Sequence, residues 1–149
     1  MKVCDPVSLI LRKKGCDIFS VPSDTTVYDA MKVMAEKEVG ALLVVDDGQL
    51  HGIVSERDYA RKVILKDRSS KQTQVREIMT SPVITVTPQD TVEECMRIIT
   101  EKRIRHLAVM DRDRVVGVIS IGDLVNWIIT AHEETIGHLQ SYIAGQYPG

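Results

Sequence analysis

Gly52-Ile53-Val54-Ser55-Glu56-Arg57-Asp58 and Gly117-Val118-Ile119-Ser120-Ile121-Gly122-Asp123 carry one pattern twice. In each, glycine and two apolar residues lead to Ser, and Asp follows three positions later. The apolar part reads as the end of a strand. Ser reads as a helix cap, with the acid in the first helical turn. Moving outward, the whole neighbourhood repeats at an offset of 65, without a gap. Thr26 falls on Thr91, Met31 on Met96, Leu42 on Leu107, Val44 on Val109 and Asp46 on Asp111. A constant offset through so many positions marks a duplicated unit. Two copies are too few for an open solenoid, so they are expected to close on each other and cover each other's apolar faces.

Each copy has the same internal order. Asp24 or Thr25 is placed to cap a helix running from Thr26 to Lys37, with Val27, Ala30, Met31 and Met34 on one face. The unbroken apolar run Ala41 to Val45, bounded by Asp46-Asp47-Gly48, predicts a buried strand. Leu50 to Val54 predicts its hairpin partner, and Ser55 starts a second helix. The second copy predicts a helix over Thr91 to Lys102, strands at His106–Met110 and Val115–Ile119, and a helix from Ser120. Short strands near Ile18–Val21 and Val83–Val86 precede the first helix of each copy. The fold class is therefore α+β (mixed α/β): two pseudo-symmetric β-α-β-β-α units packed sheet to sheet. An N-terminal helix starts at Asp5-Pro6 and ends at Gly15. A long C-terminal helix runs towards Ala144, with Leu124, Trp127, Ile128, Ala131, Leu139 and Ile143 as an apolar stripe. The expected organisation is residues 1–15 as the N-terminal helix, 16–70 as the first unit with its linker, 71–130 as the second unit, and 131–149 as a C-terminal helical extension. Lys66 to Thr73 reads as a polar linker, and Val75 to Met79 as one helical turn.

Composition narrows the function classes. The 149 residues are 44% hydrophobic and 27% charged, ordinary for a globular protein. A chain of this length buries roughly 70% of its unfolded surface. The net charge of −2 gives no basic field for coating nucleic acid. One Trp, four Tyr and one Phe are few for stacking unpaired bases. Cys4, Cys16 and Cys95 are scattered, which points to a reducing, cytoplasmic setting and to inert buried thiols at Cys16 and Cys95. The histidines show no zinc spacing, and no apolar run approaches the roughly 20 residues of a membrane span. Neither a dinucleotide fingerprint, nor a phosphate loop, nor a nucleophile elbow occurs, so an enzyme is not the expectation.

The paired signatures resemble those of the CBS domain family, and the tandem resembles a Bateman module. The strands Ala41-Leu-Leu-Val-Val-Asp46 and His106-Leu-Ala-Val-Met-Asp111 carry the likeness too, as does Val75-Arg-Glu-Ile-Met-Thr80, which is similar to the lead-in of a second CBS copy. The likeness covers residues 16 to 130, with no catalytic domain attached. It implies a regulatory module that binds an adenine nucleotide (AMP, ADP, ATP, NAD(H) or S-adenosylmethionine) in the cleft between the copies, and a homodimer shaped as a flat disc. A regulated protein partner would read the ligand-dependent orientation of the copies.

Residue chemistry agrees with that implication. Ser and Asp share one face of a helix start. The carboxylate can accept two hydrogen bonds from a ribose diol, while Ser and free amides offer contacts to an anion. The same spacing is also a simple cap, and the two roles are compatible. Family geometry implies a first cleft of Ser55, Arg57 and Asp58 with Ile104, Arg105 and His106 and with Thr80, Ser81, Pro82 and Val83. It implies a second cleft of Ser120 and Asp123 with Val39, Gly40 and Ala41 and with Cys16, Asp17 and Ile18. Only the first shows cations for phosphate: Arg57, Arg105 and His106. The second has Gly122, Gly40 and Ala41 at the matching places. The first is therefore expected to bind phosphorylated nucleotides more tightly. Arg61 and Lys62 are expected to face solvent. The alternative function is a non-catalytic dimeric interaction scaffold with a vestigial pocket.

Overall fold

A computed structural model describes residues 2–15 and 17–143. Helix α1 (Ser8–Lys14) is followed by β1 (Ser20–Val21), α2 (Val27–Lys37), β2 (Ala41–Asp46), β3 (Gln49–Ser55) and α3 (Glu56–Tyr59). Then come β4 (Thr85–Val86), α4 (Val92–Lys102), β5 (His106–Asp111), β6 (Arg114–Ser120) and α5 (Ile121–Ile143). The architecture is mixed α+β with two three-stranded sheets, ordered β1-β2-β3 and β4-β5-β6.

The duplication is kept to the level of register. The pair β1–β2 is parallel and matches Val21 with Val44; β4–β5 matches Val86 with Val109. The hairpins pair Ala41 with Ser55 and His106 with Ser120. Both carry an irregularity after the same repeat position, Val44 and Val109. Leu42 and Val44 join a core with Val27, Ala30, Met34 and Val54. Leu43 points to the other face of its strand and is buried as well, as is its counterpart Ala108. Burial on both faces is why these strands are apolar without alternation.

Helix starts follow the sequence with one displacement. Thr26 caps α2, its side chain accepting from the Asp29 amide, so neither Asp24 nor Thr25 is the cap. Thr91 caps α4 in a reciprocal box with Glu94. Both helices end on a non-glycine residue in the left-handed region, Glu38 (φ 56°) and Arg103 (φ 54°). Pro6 lies two residues ahead of α1 rather than inside its first turn, and pairs with Thr91.

Contacts divide the chain into residues 17–84 on one side and residues 1–16 with 85–149 on the other. Residues 71–84, grouped by the sequence with the second copy, make their contacts with the first. The stretch 66–73 is not a free linker. Thr73 is 2% exposed, its carbonyl accepts from the Val27 amide, and the Ser70 carbonyl accepts from the Tyr28 amide. A 3₁₀ turn at Val75–Glu77 follows, and Val75 and Ile78 enter the same core. In the other unit α1 buries Ile10 and Leu11, and Val7, just ahead of the helix, is buried too. Its preceding strand-like stretch bonds to the loop before α4, with Val7 N–H on Asp90 and Val92 N–H on Asp5.

The second helices of the two copies differ. The α3 helix is one turn long and widens into a π-helical segment, Ala60–Ile64. The α5 helix runs for 23 residues. Leu124 and Trp127 of its apolar stripe are buried, and Trp127 donates its indole N–H to the Lys2 carbonyl at 3.1 Å. The side chains of Leu139 and Ile143, the end at Ala144, and Cys16 lie outside the described residues.

Candidate functional site

Each Ser-x-x-Asp turn forms where a hairpin strand hands its chain to a helix. At the first, the Asp58 amide donates to Ser55 Oγ at 3.1 Å, and the Ser55 amide donates to Asp58 Oδ2 at 3.0 Å. At the second, the Asp123 amide donates to Ser120 Oγ at 3.1 Å, and the Ser120 amide to Asp123 Oδ2 at 2.9 Å. The capping role is thus present at both. Neither acid is fully used by it, because a carboxylate has about four acceptor positions.

A lysine completes each turn. Lys62 lies 3.0 Å from Asp58 Oδ1 and donates to the Ile78 carbonyl at 2.8 Å. Lys14 lies 2.7 Å from Asp123 Oδ2 and donates to the Val118 carbonyl at 3.0 Å. The Lys62 side chain is 43% exposed, as the sequence reading expects, yet its ammonium is held by both these oxygens. Its i,i+4 spacing from Asp58 on a helical stretch was the signal for the pair. Lys14 gave no local signal, since 109 residues separate it from Asp123.

Two glycines admit the segments that meet these turns. A Cβ on Gly117 would stand 2.5 Å from Leu11 Cδ2, so the absence of a side chain lets α1 settle on β6. Lys14 is one turn beyond Leu11 and reaches the acid from there. A Cβ on Gly52 would stand 2.6 Å from Met79 Sδ and 3.0 Å from the Thr80 carbonyl. Thr80 and Ile53 exchange two backbone hydrogen bonds, at 3.1 and 2.9 Å, holding the lead-in against β3.

Some of the other predicted residues sit beside these turns within their own units. Gly40 and Ala41 sit beside the first: the Gly40 carbonyl accepts from the Glu56 amide at 3.0 Å, and Ala41 pairs with Ser55. Val39 is half-buried just ahead of them, and Ile18 is exposed in the stretch before β1. Arg57 is half-buried on α3; Pro82 is exposed and Val83 half-buried ahead of β4. Beside the second turn, the Arg105 carbonyl accepts from the Ile121 amide at 2.8 Å, and His106 pairs with Ser120. Ile104 is half-buried and Arg105 exposed. Cys95 is buried, and burial with the neighbouring Asp90 and Glu94 charges pushes its thiol up to about 12, so it stays protonated at neutral pH. Among the described residues no group of three or more His, Cys, Asp or Glu could hold a metal ion, and no helix is long and apolar enough to cross a membrane.

A family model for the CBS domain matches residues 10–65 and again residues 75–130. The chain belongs to the CBS domain family. Its two CBS matches are separated by the same offset as the repeat. The chain is 46% identical over 130 residues to the CBS domain-containing protein CBSX3, mitochondrial, of Arabidopsis thaliana, over 84% of this chain and 63% of that protein. This CBS pair thus spans less than two thirds of that relative's length. A putative signal-transduction protein with CBS domains from Burkholderia ambifaria is similar in structure, with a TM-score of 0.81 and 52% identity over 84% of this chain and 94% of that one. The CBS domain protein PAE2072 from Pyrobaculum aerophilum, solved in complex with AMP, gives a TM-score of 0.70 at 26% identity, over 79% of this chain and 88% of that one.

Proposed function

We propose that this CBS pair is a regulatory, non-catalytic adenine-nucleotide-binding module whose ligands are of the AMP, ADP, ATP or NAD(H) type. One observation carries the reading: two Ser-x-x-Asp turns of the same geometry in a CBS pair, a family with an AMP-bound member of related structure. Asp58 and Asp123 would accept the ribose diol. Ser55, Ser120 and the half-buried Arg57 would meet phosphate. Calorimetry with AMP on the wild type, Asp58→Ala and Asp123→Ala tests it. Binding that is lost or weakened in an Asp variant supports the reading. A wild type with no heat of binding, and no thermal stabilisation by millimolar AMP, ATP, NAD(H) or S-adenosylmethionine, sinks it.

A second reading, a dimeric interaction scaffold, is favoured by a different observation. Ile64 and Ile129 occupy the same repeat position and are 55% and 51% exposed. A duplicated apolar face suits self-association, and a homodimer is the form proposed. Light scattering on Ile64→Asp and Ile129→Asp distinguishes a dimer that dissociates from a monomer that was never paired. Cytoplasmic placement belongs to the leading reading; fractionation checks it against the mitochondrial location carried in the plant relative's name.

A further inference from the structure

We propose that Lys14 is a specificity residue of the Asp123 turn, fixed there to admit a ligand phosphate beside a carboxylate that would otherwise repel it. The inference rests on the nucleotide reading and deepens it. By sequence this turn has no cation: Gly122 stands where the first copy has Arg57. The fold supplies one from elsewhere. Lys14 Nζ bonds Asp123 Oδ2 at 2.7 Å and the Val118 carbonyl at 3.0 Å. An ammonium has three donors, so one remains for a further acceptor. The Lys14 side chain is 38% exposed, which leaves the ammonium reachable.

The placement is held by packing. Leu11 fills the notch at Gly117, and Val7, Ile10 and Leu11 are all buried, so α1 is anchored one turn ahead of Lys14. A free-swinging surface lysine would lose side-chain entropy on meeting a ligand; this one is already ordered by two bonds. It also neutralises Asp123, so the acid can offer its oxygens to ribose hydroxyls without presenting net negative charge to the phosphate of the same molecule. Met79 occupies the repeat position of Lys14, so the first copy draws its cations from its own helix, as Arg57 and Lys62.

The test compares AMP with adenosine, which differ by the phosphate. Calorimetry is run on the full chain and on an Asp58→Asn background that weakens the other turn, each with Lys14 intact, as Lys14→Met and as Lys14→Arg. Lys14→Met is expected to weaken AMP by about tenfold, the scale of one charge-assisted hydrogen bond, and to leave adenosine unchanged. Lys14→Arg is expected to restore most of the loss. Equal weakening of AMP and adenosine would mean that Lys14 only holds Asp123 in shape, and overturns the proposal. Unchanged AMP affinity overturns it too. If the Lys14-intact chain binds neither ligand, the nucleotide reading itself fails, an outcome separate from the other two.

Discussion

The two Ser-x-x-Asp turns reach the same local arrangement by different routes. In the first, Asp58 meets a lysine on its own helical stretch, four residues on, and that lysine ties down the Ile78 carbonyl of the lead-in segment. In the second, Asp123 meets a lysine from the N-terminal helix, and that lysine ties down the Val118 carbonyl of β6. The first bridge belongs to a single helix and the second to the docking of a remote segment. A duplicated fold therefore preserves a constellation of charge, not the residues that supply it. The helices diverge with it. Where the π-helical segment after α3 has Lys62, α5 has Trp127, which is buried and extends the packed part of a much longer helix.

Undocking α1 separates the two turns most strongly. Leu11→Ala removes the side chain that fills the Gly117 notch and should cost about 3 kcal/mol in urea unfolding, with the Lys14 bridge lost alongside. No variant of Lys62 should disturb α1 in this way. Next in size is the pair of glycines. Gly52→Ala should cost about 2 kcal/mol, more than Gly117→Ala. At Gly52 the new methyl meets the Thr80 carbonyl as well as Met79, whereas at Gly117 it meets only the side chain of Leu11, which can turn aside. Equal costs would show that the two segments are held alike.

Smaller effects separate the helices themselves. Ser55→Ala should cost about 1 kcal/mol and Ser120→Ala less, by thermal unfolding. The reason is that Ser55 caps a single turn, while α5 is also held by Leu124 and Trp127. The smallest effect concerns acid. The Gln74 amide, and then the Arg68 guanidinium at 2.6 Å, hold the Glu77 carboxyl below its ordinary value of 4.5. A depressed carboxyl contributes stability above its unfolded value and loses it as pH falls through the folded one. Glu77→Gln should therefore lower stability slightly at pH 7, where the charged carboxyl's bonds are fully present, and flatten the stability profile on the acid side of pH 4.5. The lead-in to the second copy would loosen there while α1, which lacks this pair, would not. Amide exchange at Gln74 and Leu11 reads the two segments separately.

Much of the site was legible because it is local. Ser and Asp three apart at a strand-to-helix junction can hardly avoid capping each other, and the pattern occurs twice. The helix limits were legible too, though Thr26 took the cap from Asp24 and Thr25 because its hydroxyl is the one aligned with the Asp29 amide. The left-handed ends at Glu38 and Arg103 carried no signal, since glycine is the usual marker and neither residue is one. The polar stretch 66–73 looked like a tether because its composition is that of a loop. It is instead bonded to the start of α2 through the Thr73 and Ser70 carbonyls, which composition does not report.

The duplication, the β-α-β-β-α order, the buried character of β2 and β5, and the place of each acid are all written in the chain's local pattern. These follow from periodicity, turn chemistry and caps, all of which act over a few residues. Long-range packing assigns each segment to its unit: residues 1–16 with 85–149, and residues 71–84 with the first sheet. It alone brought Lys14 to Asp123. That pairing depends on a glycine notch and a buried leucine fixing a helix more than a hundred residues away in sequence, and packing of that kind leaves no periodic trace in the chain.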